Sequence, residues 1–303
     1  MQSDAGNLVR QLTGELENFE EIAKYLIPRP GDLPRLRGID IHGGTIPLNG
    51  LVGGDHIIYL DFKERFDLAA RIEHGIGEGR HDLVENLQRC HRTAGIAVLD
   101  VSGHRITDAF MAAMLHQAFL LGSIYELDMI GRVTRRLFEN LNTRIYNSSS
   151  ANKFVSLIYG EISEDAEFRF LSAAHPLPMV FSQQHDRFME VSEDMCVSSP
   201  PLGMLPSLEV TDRHRTESLM GFKARYEMNE WVLMGEGDIL LLHTDGLTEH
   251  THAGEDYFPD RLERTLRDVK DLPAADIYGA ITADVLAFSQ PSDDISLVVV
   301  KRT

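Results

Sequence analysis

Three apolar runs of strand length each meet an aspartate at one end. Asp100 closes AGIAVLD, Asp245 closes ILLLHTD, and Asp293-Asp294 open ISLVVV. A fourth aspartate, Asp55, follows Gly53-Gly54 just ahead of a strand expected near Ile57–Phe62. Short runs of β-branched and aliphatic residues bounded by turn residues read as strands. Carboxylates at the mouths of strands far apart in sequence can converge on one sheet edge. There they repel one another in a low-dielectric site, and they tolerate ionisation when a cation sits between them. Hard divalent cations such as Mg2+ and Mn2+ take oxygen ligands of this type. Neighbouring glycines let backbone approach, so that a main-chain carbonyl can join as a ligand. Aspartate is also favoured in turns and caps, so spacing alone leaves a structural role open for each position.

The remaining pattern places these strands in an α+β chain. Strands are expected at Ile39–Ile46, Phe154–Ile162, Glu167–Ala174, Met179–Phe181, Arg187–Val191, Ile239–Thr244 and Ile295–Lys301. Lys63–Thr93 is polar and helical in character, with Leu68, Ile72 and Ile76 stepping by four. Ile106–Leu121 is apolar almost all round and predicts a buried helix. Leu127–Ile145 predicts an amphipathic one, with Ile130, Val133, Leu137 and Leu141 on one side. Two further helices are expected near Pro259–Val269 and Ala274–Phe288, and Ser207–Phe222 reads as a polar excursion. Strands, a helix pair, more strands, a helix pair and a last strand lack strict βαβ alternation. They fit antiparallel sheets covered by helices.

At the N-terminus Val9, Leu12, Leu16, Phe19, Ala23 and Leu26 trace a seam of period 3.5. Pro28, Pro30 and Pro34 then stop the helix. Such a seam serves packing within the domain or pairing with a second copy. The net charge of −18 over 303 residues disfavours nucleic acid and anionic membrane surfaces. Cys90 and Cys196 stand in no ligand spacing. There is no signal-peptide pattern, and no run of about 18 apolar residues is evident. A cytoplasmic location is the simple expectation.

GGDHIIYLDF, AVLDVSGH, SLIYGEI, LSAAHPLPMVF, PPLGM, GDILLLHTDGLTEH and SDDISLVVVKR occur in an order that resembles the SpoIIE/RsbU branch of the metal-dependent type 2C (PPM) serine/threonine phosphatases. The likeness covers residues 22–302, with LIPRPGDLPRLRGIDI like the linker that enters that domain. It implies an antiparallel β-sandwich flanked by helices, with residues 1–34 as an N-terminal helix and linker and 35–303 as the phosphatase domain; residues 63–93, beyond the family pattern, read as a helical insertion, a lid or partner surface. It also implies two Mn2+ or Mg2+ ions at one end of the sandwich, with a third as an option. By position, Asp55, Asp100 and the Val101 carbonyl would hold one ion, while Asp100, Asp245 and Asp293 would hold the other. Asp294 would stand behind them or serve the further ion. The implied reaction is hydrolysis of phosphoserine or phosphothreonine by activated water. The implied substrate is a phosphorylated STAS-domain antagonist of an anti-sigma factor.

Two features depart from the family pattern. Arg105-Ile106-Thr107-Asp108-Ala109 replaces the usual small residue and Pro-Ala-Ala-like helix start, and the 45 positions from Asp55 to Asp100 are a long separation. Arg105 is a surface cation or a phosphate contact, and Asp108 a helix N-terminal carboxylate. His74, His81 and His91 read as solvated. His104 takes no catalytic role, because its spacing differs from that of the eukaryotic branch's histidine. His175 reads as a turn residue satisfied by hydrogen bonds, His243 as facing the core edge and Glu249 as capping the TDGLTE turn. A non-catalytic binding module of the same fold, and a hydrolase of small phosphoesters, are the competing functions.

Overall fold

The computed structural model describes residues 2–23, 25, 32–48, 53–103, 106–148, 153–191, 195–208, 218, 220–232 and 234–303. Helix α1 (Gln2–Ala23) precedes strands β1 (Ile39–Ile46) and β2 (His56–Asp61). Helices α2 (Phe62–Arg65), α3 (Leu68–Gly77) and α4 (His81–Cys90) follow, then β3 (Thr93–Val101). Next come α5 (Ile106–Met129), α6 (Arg135–Ser148), β4 (Val155–Ser163), β5 (Phe168–Ala173), β6 (Met179–Ser182), β7 (Arg187–Phe188), β8 (Ser198–Ser199) and β9 (Asn229–Trp231). The chain ends with β10 (Ile239–His243), α7 (Asp245–Thr248), β11 (Thr251–His252), β12 (Glu255–Asp256), α8 (Asp260–Val269), α9 (Ala274–Phe288) and β13 (Ile295–Arg302).

Two sheets face each other. One runs β1-β13-β10-β6-β7; the other runs β2-β3-β4-β5-β8, with β9 also paired to β5. All pairings are antiparallel except the short β5–β8 contact. The period-two alternation of strands explains why their sequences are apolar throughout. On β13, Val298 and Val300 enter the core between the sheets, while Leu297 and Val299 pack outward with Ile277, Ile281 and Val285 of α9. On β2, Ile57 and Tyr59 point between the sheets, and Ile58 and Leu60 pack under the helices on the other side. Both faces of each sheet are therefore buried, in four layers: helices, sheet, sheet, helices.

The segment expected as an insertion is helical and belongs to this core. Asp67 caps α3, its carboxylate accepting the Ala70 N–H at 2.9 Å. Leu68, Leu83, Leu87 and Cys90 pack with Leu127, Leu137 and Phe138 of the following helix pair. His74, His81 and His91 are exposed.

The helix pair departs from the sequence reading. The first helix runs on to Met129 and the second begins only at Arg135. Gly131, at φ 82°, ends the first: its N–H donates to Glu126 O and Leu127 O. Nor is α5 buried all round. Ala109, Ala112, Leu115 and Phe119 are buried, while Phe110, Met114, Leu121, Tyr125 and Met129 are exposed. An outer-layer helix has a sheet on one side only, so apolar composition does not secure burial of the other. Thr107–Met129 is also long and apolar enough, by length and composition, to cross a membrane, whereas the sequence predicts a shorter buried helix, Ile106–Leu121, and no run of that length. Its inner face is part of the core. Of the N-terminal seam, Leu26 and the side chains of Val9, Leu16, Phe19 and Ala23 lie outside the described residues, as do Pro28 and Pro30. Leu12 is exposed.

Because Leu87 is fully buried in the core, Leu87→Ala should cost about 2–5 kcal/mol of global stability, read from urea unfolding. An unchanged urea midpoint would show α3 and α4 to be a separate appendage.

Candidate functional site

Strand register brings the acidic positions to one end of the sandwich. His56 pairs with Leu99 across β2 and β3, which sets Asp55 beside Asp100. In the other sheet His243 pairs with Leu297. The chain leaving β10 at Thr244-Asp245 therefore runs beside the Asp293-Asp294 entry to β13, and Thr244 N–H donates to Ser296 O at 3.1 Å.

Hydrogen bonds across the sandwich close this rim. The Thr244 hydroxyl donates to Asp55 Oδ2 at 2.6 Å and accepts the Ser296 N–H at 2.9 Å. Asp294 reaches the opposite way: Oδ2 accepts the Gly54 N–H at 2.7 Å and Oδ1 the Leu48 N–H at 2.6 Å. Asp293 Oδ1 accepts the Asp294 N–H at 2.6 Å. This closeness requires glycine. A Cβ on Gly53 would lie 2.0 Å from Asp294 Oδ2, and one on Gly54 would lie 2.7 Å from Gly103 O and 2.8 Å from Val101 O. One on Gly246 would meet Asp294 O at 2.1 Å.

Asp55 and Asp294 are buried, while Asp100, Asp245 and Asp293 are half-buried. Burial pushes the Asp55 carboxyl well above the ordinary carboxylate range. The Thr244 hydroxyl works against that shift, and Asp100 and Asp294 add to it. The donors are carboxylates and the Val101 carbonyl, an all-oxygen set that fits a hard divalent cation. Among the described residues no three carboxylate, imidazole or thiol groups already form an ion cage. Asp294, with both oxygens on backbone amides, is placed to brace the rim.

Several neighbours escaped the sequence reading or differ from it. Asp108 is fully buried in the first turn of α5 and ion-paired with Lys153. Nothing local in the sequence signals that partner, which lies 45 residues away. Nδ1 of His175 meets Ser156 Oγ at 2.9 Å, while buried Nε2 has no hydrogen-bond partner among the described residues. Burial, with His243 adding, pushes its pKa down to about 3. His243 is buried and bonds the Thr244 carbonyl through Nδ1 at 3.0 Å. His56 Nε2 lies 2.6 Å from His116 Nδ1 of α5. Glu249 follows α7, its N–H on Asp245 O. His104 and Arg105 lie outside the described residues. A cavity of about 280 Å3 lies at the other end of β3 and β4, lined by Cys90, Glu161, Arg169 and Trp231.

The sequence profile of the SpoIIE family, Stage II sporulation protein E, matches residues 91–303. Phosphoserine phosphatase RsbP of Bacillus subtilis (strain 168) is 26% identical over 184 residues. That stretch is 60% of this chain and 38% of RsbP, so the chain spans about two fifths of that relative. The SiaA-PP2C domain of Pseudomonas aeruginosa superposes with a TM-score of 0.62 at 15% identity, covering 98% of both chains. A PP2C phosphatase domain of SpoIIE from Bacillus subtilis, with a fragment of its regulatory domain, gives 0.59 at 17% identity over 88% of this chain and 64% of that one. These likenesses establish the fold as that of the type 2C phosphatases.

Asp55 gives the site a pH signature. Its raised pKa means folding favours the protonated acid, so that stabilisation holds at low pH and is lost as pH rises through the raised value. Without divalent ions, Asp55→Asn should therefore melt higher than wild type at neutral pH. The gap should close as pH falls toward the ordinary aspartate pKa of about 3.9. Mn2+ should raise the wild-type Tm and not that of the variant. Equal melting curves for the two proteins across this range would remove the strained carboxylate.

Proposed function

The chain belongs to the SpoIIE family, and from that premise we propose that it is a Mn2+- or Mg2+-dependent protein phosphatase acting on phosphoserine or phosphothreonine of a regulatory protein. The observation that carries the reading is the Thr244–Asp55 hydrogen bond, which ties the acidic ends of both sheets into one rim. Asp55, Asp100 and the Val101 carbonyl would hold one ion; Asp100, Asp245 and Asp293 would hold the second. Two bound divalent cations supply Lewis acidity toward phosphoryl oxygens and bring the pKa of water toward neutrality.

The chain's own residues do the rest. Thr244 orients the Asp55 carboxylate, and Asp294 holds the Gly54 and Leu48 amides. The half-buried Asp100, Asp245 and Asp293 are the carboxylates open to an approaching phosphoester. Neither cysteine suits a covalent mechanism. Burial pushes the Cys90 thiol up to about 12 and raises that of Cys196.

The printed name of RsbP, a phosphoserine phosphatase, supports a phosphoserine substrate. A STAS-type antagonist of an anti-sigma factor, in a partner-switching pathway, is the substrate this reading favours. The phosphatase unit would span 35–303, since β1 pairs along its whole length with the last strand, β13. Residues 1–34 would carry a dimerising helix. The second reading is a binding module without turnover, favoured by the altered segment Arg105-Ile106-Thr107-Asp108-Ala109 and by the long stretch between Asp55 and Asp100.

Asp245→Asn should abolish Mn2+-dependent release of phosphate from a phosphoserine protein and leave binding of that protein intact. EDTA should stop the wild type, and Mn2+ should restore it. Wild-type protein that releases no phosphate with Mn2+ present would favour the binding module.

A further inference from the structure

We propose that Lys153 receives the phosphoryl group of the substrate at the acidic rim, an assignment that rests on the phosphatase reading above. A rim built from carboxylates repels a phosphate dianion, so a fixed cation at its mouth changes how substrate is held. Lys153 is placed for that. Its ammonium donates to Ser102 O at 2.7 Å, one residue beyond Val101, whose carbonyl faces Gly54. It also pairs with Asp108. A Cβ on Gly103 would lie 3.0 Å from Lys153 Nζ and 2.6 Å from Asp108 Oδ2. The ammonium, the buried carboxylate and the glycine turn are therefore packed against one another.

The backbone around Lys153 is fastened to the same turn. Ser102 N–H donates to Phe154 O at 3.1 Å, and Phe154 N–H donates to Ser102 Oγ at 3.3 Å. The position of Lys153 is thus set by the segment that carries Asp100 and Val101. Its side chain is 30% exposed, against 1% for Asp108. The buried carboxylate anchors the cation, and the lysine side chain keeps part of its surface in solvent. A lysine held in place loses less rotamer freedom when it binds a phosphate than a free surface lysine does.

The competing role for Lys153 is neutralisation of buried Asp108 and nothing more. The two roles separate in a double variant assayed with p-nitrophenyl phosphate as substrate and inorganic phosphate as competitive inhibitor, with Mn2+ present. Lys153→Met should raise both KM and Ki about tenfold, as for loss of a charge-assisted hydrogen bond, with a much smaller change in kcat. Lys153→Arg should recover most of the loss. In Asp108→Asn/Lys153→Met the thermal stability lost in Lys153→Met should return while KM and Ki stay high. Wild-type KM and Ki in the double variant would overturn the proposal. Calorimetry of phosphate binding to the Mn2+-loaded full chain keeps this test distinct from that of the phosphatase reading. Phosphate binding that depends on Lys153, in a wild type without turnover, would defeat only the latter. Normal turnover with phosphate binding indifferent to Lys153 would defeat only the former.

Discussion

Burying the Asp55 carboxylate is the costly act around which one end of this molecule is organised. A carboxylate taken out of water needs donors or a cation. Asp55 receives the hydroxyl of Thr244 from the opposite sheet and lies against two further carboxylates. The Thr244 hydroxyl in turn accepts an amide of β13, and Asp294 accepts the amides of Leu48 and Gly54. Removing any member leaves a buried polar group unmatched, so these hydrogen bonds behave as one network rather than separate contacts.

The rest of the fold gives that network its rigidity. Each strand meeting the rim is buried on both faces, one against the facing sheet and one under helices. Packing at this density leaves little freedom to slide register, and register is what places Asp55 beside Asp100 and Thr244 beside Ser296. The helical segment between β2 and β3 thickens the helical layer over one sheet, and α5 couples to the same end through His116 and Asp108.

Much of this was legible in the chain. Apolar strands ending on aspartates, the order of strands and helix pairs, and the motif series from GGD to DDIS pointed to a helix-flanked sandwich of the type 2C phosphatase kind. Other features were opaque because they depend on contacts distant in sequence. The extent of α5 turned on Glu126 and Gly131 closing its end. Its exposed stripe turned on having one sheet beneath it and none above. His175 looked like a satisfied turn residue, but its buried Nε2 has no hydrogen-bond partner among the described residues.

The long apolar strands were readable from the sequence, since alternating and continuous apolar runs carry their period and burial within a few neighbouring residues, while the short β8, β9, β11 and β12 were not. By itself the sequence also determined that acidic groups sit at strand ends. Only the tertiary structure decided which carboxylates are buried, which bond to amides, and which cation stands beside them. Those outcomes depend on desolvation and on atoms brought within 3 Å from distant stretches of chain, as Thr244 is to Asp55 across the two sheets and Lys153 to Ser102 between neighbouring strands of one sheet. Neither partner announces such a contact in its own stretch of chain.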